Sequence, residues 1–89
     1  MKSIELEDHE ALVLFEFLQR EITDRKEQRL VGVIEHPAEF WALNAVSCAL
    51  ERIVAEPFHA EYQALLDKAR KDVMYQCDPE GTYPLGTRE

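Results

Sequence analysis

Apolar residues recur every third or fourth position in three separate stretches of this chain, and that spacing restricts its fold more than any other feature. In the first stretch Ala11, Leu14, Phe15, Leu18 and Ile22 share one side of a helix. The spacing predicts a helix from about His9 to Lys26, with Asp8 as its N-cap. Glu10 falls in the first turn, where the positive end of the helix dipole favours an acid. Glu16 with Arg20 and Glu21 with Arg25 are i,i+4 pairs in the favourable orientation, each contributing about 0.2–0.5 kcal/mol on an exposed surface. Gly32 is the expected limit of any continuation.

A second helix is predicted from about Pro37 to Ala55, with proline suited to the first helical position. Between Ala38 and Leu50 the only polar residues are Glu39, Asn44 and Ser47. Leu43, Val46, Leu50, Ile53 and Val54 form its main stripe, while Trp41, Ala45 and Cys48 lie on a different side. A helix apolar on two sides is expected to be central, so helix two is expected to be the most buried element. A third helix is predicted from about Pro57 to Tyr75. Its stripe is Phe58, Tyr62, Leu65, Leu66, Ala69 and Val73, with Lys68 and Lys71 facing outward. The short spacer Glu56-Pro57 implies a tight corner between helices two and three.

Between helices one and two, Val31, Val33 and Ile34 are β-branched, and near the N-terminus Ile4 and Leu6 alternate with acids. These pieces could pair as short strands or pack as extended chain. From Cys77 to Glu89 the chain holds two prolines and two glycines, which suit an irregular tail that the fold does not need. The expected architecture is therefore all-α. A compact three-helix bundle occupies residues 1–76, with an extended link between helices one and two and an irregular tail over 77–89.

Size is consistent with this. A chain of 89 residues makes one domain, and such a chain buries roughly 60–65% of its unfolded surface without needing metals or disulfides. Apolar runs such as Ala11 to Phe15 and Val31 to Ile34 are far short of the ~18 residues that span a bilayer. The start, Met1-Lys2-Ser3-Ile4-Glu5, turns acidic at once, unlike a signal peptide. Eighteen acidic residues against ten basic ones give a formal charge of −8, which repels phosphate backbones. The basic residues Arg20, Arg25, Lys26 and Arg29 are interleaved with Glu21, Asp24 and Glu27 and read as a solvated mixed face. Neither nucleic acid nor membrane is an expected partner. Cys48, inside an apolar run, reads as a reduced buried thiol and Cys77 as a tail residue, which suits the cytoplasm.

Glu56-x-x-His59 has the spacing that projects a carboxylate and an imidazole from one helix face, as in di-iron bundles. One such pair is too few ligands for a transition-metal site, and Glu56 falls at a helix start. His36-x-x-Glu39 reads as the entry to helix two, with Glu39 as a capping acid. Neither CxxC nor HExxH, a Gly-rich phosphate loop or GxSxG occurs. Cys48 has no basic neighbour in sequence to activate it. No metal, cofactor or catalytic residue is expected. The alternative is a small metal-binding or enzymatic protein built on Glu56 and His59 in a dimer.

Val13 and Phe17 form an i,i+4 apolar pair nearly opposite the main stripe of helix one. A three-helix bundle needs only one face of that helix, so a second copy of the chain could cover the pair. Phe40 and Trp41 point about 100° apart on helix two, which lets Trp41 face a groove or a partner. The expected function is a non-catalytic protein–protein interaction module that self-associates as a homodimer, with Val13, Phe17 and Trp41 as contact residues. A basic protein is the other expected partner, since an acidic surface steers such an encounter. The run Glu10-Ala11-Leu12-Val13-Leu14-Phe15-Glu16-Phe17-Leu18 is similar to the start of short uncharacterised bacterial helical proteins. Ala38-Glu39-Phe40-Trp41-Ala42-Leu43 and Glu56-Pro57-Phe58-x-x-x-Tyr62-x-x-Leu65-Leu66-x-x-Ala69-Arg70 resemble their later helices. The resemblance implies a bacterial all-α fold and brings no activity or site residue with it.

Overall fold

The computed structural model describes residues 1–26, 28–54 and 60–81. Three α-helices make up the bundle: α1 over Asp8–Leu18, α2 over Pro37–Ile53 and α3 over Tyr62–Cys77. Among the described residues there is no strand.

The start of α1 lies one residue earlier than the sequence suggests. Glu7, not Asp8, is the N-cap, and Glu10 at the third helical position accepts the Glu7 backbone N–H at 2.8 Å. This reciprocal arrangement satisfies N–H groups that the first turn leaves without helical partners. After Leu18 the helix widens into a π-helical turn over Gln19–Asp24, closed by the bond from Arg25 N–H to the Arg20 carbonyl at 2.9 Å. The terminator is Lys26, at φ 49°, and not Gly32. A left-handed residue at this place ends a helix, although glycine normally fills it.

The link to α2 is a chain of turns. Leu30–Gly32 forms a single 3-10 turn, and both Val33 and Ile34 donate to the Leu30 carbonyl. Val31 and Val33 are exposed, so their β-branched side chains support no sheet. At the start of α2, His36 Nδ1 accepts the Ala38 N–H at 3.0 Å, and Glu39 accepts the Glu35 N–H at 3.0 Å. Glu39 is the capping acid that its position predicts.

α1 and α3 run antiparallel. At one end His9 Nε2 lies 2.7 Å from Gln76 Oε1, and at the other the Tyr62 hydroxyl donates to Glu16 at 2.8 Å. α1 packs against α3 and, less extensively, against α2, while α2 and α3 scarcely meet among the described residues. The central helix is therefore α1. Ala11, Leu12, Phe15 and Leu18 are buried on it, with Leu50 and Val54 from the α2 end and Leu66 and Ala69 from α3. Val13, Leu14, Ile22, Leu43, Val46, Tyr62 and Leu65 pack around this core half-buried.

The expectation that helix two would be the most buried element is corrected by this arrangement. α1 buries Ala11, Leu12, Phe15 and Leu18 along one broad face, and because it lies between two helices that face encloses more side-chain area than a helix with one main neighbour can. The second apolar side of α2 consists mainly of alanines, whose burial gains little because the gain scales with area. Ile53, expected in the α2 stripe, is 73% exposed, and Cys48, expected to be buried, is also exposed. α3 continues through Cys77, so the irregular segment begins one residue later than expected. The Glu56-Pro57 corner and most of the tail lie outside the described residues.

Candidate functional site

Each α-helical residue turns the chain by about 100°. On α2 this places Ile53, Ala42, Ala49, Ala38, Ala45, Trp41 and Cys48 one after another around an arc of about 140°. All seven are exposed, and Arg52 is the one charged side chain within the arc. Trp41, the chain's single tryptophan, is 64% exposed. Its ring meets Phe40 edge to face, with centroids 5.1 Å apart and planes at 77°. Such a pair fixes the indole without covering its outer face.

A hollow flanks the arc on either side. The smaller, about 650 Å³, is bounded by Val31, Ile34, Phe40 and Trp41. The larger is an open groove of about 1390 Å³ between α2 and the N-terminal arm, residues 1–7. Its α2 wall is Ala45, Ala49 and Ile53, its floor includes Ala11 and Leu50, and Ile4 and Leu6 line the arm side. Glu5, Glu7, Asp8 and Glu10 stand around it with, among the described residues, a single base, Lys2.

A second polar centre lies at the other end of α1. Glu21 is only 5% exposed, with its carboxylate 3.3 Å from Arg20 Nε and 3.4 Å from Arg25 Nε. Arg20 also reaches Glu16 at 3.5 Å, and Glu16 accepts the Tyr62 hydroxyl. Arg25 Nε is buried without a hydrogen bond, so it meets Glu21 as an ion pair and not along a hydrogen-bond direction. Both i,i+4 pairs expected from the sequence are present, but Glu21 is not on a solvated face. It sits three residues after Leu18 on the same side of the helix, and its two arginines bridge it to the surface. This centre ties α1 to the start of α3. It holds acids and bases already matched to each other, with no nucleophile among them.

The three residues expected to make contacts are not brought together. Val13 packs half-buried against the core. Phe17 stays 44% exposed, with the Arg20 guanidinium 5.5 Å from its ring centroid. Trp41 stands apart on α2. Glu56 and His59 lie outside the described residues. Among the described residues no three His, Cys, Asp or Glu side chains gather closely enough to share an ion. No described helix is long and apolar enough to cross a membrane.

The sequence marks Trp41, Ala45 and Cys48 as one side of α2, but that side was expected to be packed inside the bundle and is exposed instead. The signal was present as Ala38, Ala42, Ala45 and Ala49, alternately four and three residues apart, which is the seam spacing of helix pairs. The arm's alternation of Ile4 and Leu6 with acids was visible too, and of the two readings it allowed, a strand pair or extended chain, the arm is extended chain. No family model, no curated protein and no solved structure matches this chain.

Proposed function

We propose that this protein is a non-catalytic interaction module whose docking surface is the outward face of α2. One observation carries the reading: an arc of exposed apolar side chains, anchored by Trp41 and Ile53 and interrupted only by Arg52, that the described residues leave open on α2. Contiguous apolar surface of this kind marks contact sites, whereas isolated exposed side chains do not. Tryptophan is also the residue type most enriched among those that dominate binding energy. Fully burying each large apolar side chain contributes about 1.5–3 kcal/mol, so Trp41 and Ile53 are the natural anchors. Self-association through α1, expected from the sequence, has Phe17 as its one exposed side chain, a smaller surface than the α2 arc.

Two exposed cysteines allow a direct test. Cys48 lies on the arc, and Cys77 at the end of α3 serves as an internal reference. Alkylation by iodoacetamide is to be compared between the purified protein and intact native cells. Slower labelling of Cys48 relative to Cys77 in cells is the expected result. An unchanged ratio would show that the face is not occupied and would overturn the reading.

A further inference from the structure

The groove between the N-terminal arm and α2 has a charge pattern that selects its occupant. Its walls are apolar on both sides: Ile4 and Leu6 on the arm, Ala45, Ala49 and Ile53 on α2. Around them stand four carboxylates, Glu5, Glu7, Asp8 and Glu10, against Lys2 alone among the described residues. We propose that this groove receives a basic amphipathic helix of a partner protein, with its apolar stripe against α2 and its flanking lysines or arginines toward the acidic rim.

This rests on the reading of α2 as a docking surface and adds the chemistry of the partner. Size argues against a small molecule, because the groove's volume of about 1390 Å³ exceeds the roughly 300–1,000 Å³ of ordinary small-ligand pockets. Local geometry favours a helix. Ala45 and Ala49 leave notches one turn apart, so a second helix can lie along α2 with its larger side chains between them, at an interaxial distance of about 8–10 Å. Charge argues against a second copy, since two chains of formal charge −8 would bring identical acidic rims together. The same carboxylates repel anionic lipid and nucleic acid.

The test uses the full-length protein and two designed peptides. Each is an about 18-residue helix, long enough to form in water, with leucines at i, i+3, i+4 and i+7. One carries lysines beside the leucine stripe and the other carries glutamates. Trp41 fluorescence and calorimetry report binding. The lysine peptide is expected to bind at least about tenfold more tightly than the glutamate peptide, and to weaken as salt rises past physiological strength. Ala49→Arg blocks the notch at an exposed position and should weaken it by about tenfold or more. Glu5→Lys reverses one rim charge and should weaken it about threefold or more, with both variants keeping wild-type circular dichroism.

Equal binding of the two peptides would overturn the charge-based choice and leave the docking surface standing. Sedimentation of the wild type as a dimer that Ala49→Arg dissociates would likewise overturn the basic partner and keep the surface. Binding to phosphatidylglycerol vesicles in place of the lysine peptide would overturn both. A monomer that binds neither peptide overturns the inference, and the Cys48 labelling ratio then decides the docking surface separately.

Discussion

α1 and α2 are both rich in apolar residues, yet one supplies half of the buried core and the other is half open. α1 carries Leu12, Phe15 and Leu18 inward on neighbouring sides, and it lies between the other two helices. α2 turns Leu50 and the half-buried Leu43 and Val46 toward α1 and leaves its alanines outside. The difference is one of side-chain area. Burial free energy follows the area removed from water, so a chain with few elements encloses the helix with large side chains on several sides first. Alanines on a second side make a helix apolar in composition without making it central.

The largest expected effect probes the centre. Leu18 is 2% exposed, the most deeply placed large side chain. Leu18→Ala removes its packing within the core cluster and leaves a cavity, at an expected cost of about 3–5 kcal/mol. On α2, Leu50→Ala should cost less, about 2–4 kcal/mol, because among the described residues that helix packs mainly against α1 and can settle into the space. Denaturant titration of both variants checks the order. A larger loss for Leu50→Ala would return α2 to the centre and break the comparison.

Next in size is the buried carboxylate at the end of α1. Removing one partner from a wholly buried ion pair costs about 3–5 kcal/mol. Here the Arg20 and Arg25 side chains are 34% and 38% exposed, so they can turn to water when Glu21 is gone. Glu21→Ala is expected to cost about 1–3 kcal/mol after that discount for solvent. An unchanged denaturation midpoint would mean that the site adds nothing and that α1 ends functionally at Leu18.

These effects separate what was legible in the sequence from what was not. Helix number and stripes were legible, because Phe15, Leu18, Leu50, Leu66 and Ala69 occupy the positions their spacing predicts. So was the α2 entry, since Pro37 and Glu39 act locally. Rank among helices was not, because it depends on side-chain area and on which helix touches two others, and counting apolar residue types records neither. Glu21 was misplaced for a related reason. Its i,i+4 pairing with Arg25 is visible on paper, but its position three residues after Leu18 puts the same carboxylate on the core side. The candidate site was legible only in part. Trp41 announces itself, whereas the groove exists only once the arm is set beside α2.

A smaller effect should be stabilising. Lys26 ends the first helix at φ 49°, a conformation that costs a side-chain-bearing residue about 1 kcal/mol. Lys26→Gly removes that penalty but loosens the unfolded chain, leaving an expected gain of about 0.5 kcal/mol. A loss of stability on thermal melting would show that the lysine side chain contributes more than its backbone geometry costs.

The smallest effect sharpens the comparison most. Ala42→Ser, Ala49→Ser and Ile53→Gln together replace apolar atoms across the outward face of α2. If that face meets only water in the isolated chain, nothing is lost from packing. The remaining terms are helix propensities, which favour alanine over serine by a few tenths of a kcal/mol per site and glutamine slightly over isoleucine. The triple variant should therefore stay within about 1 kcal/mol of the wild type in urea titration, far from the loss expected for Leu18→Ala. A loss beyond about 2 kcal/mol at low protein concentration would mean that the chain's own residues cover this face. A loss that appears only at high concentration would mean that a second copy covers it, because stability gained from association rises with protein concentration. Near-neutrality at every concentration is what an open docking surface requires.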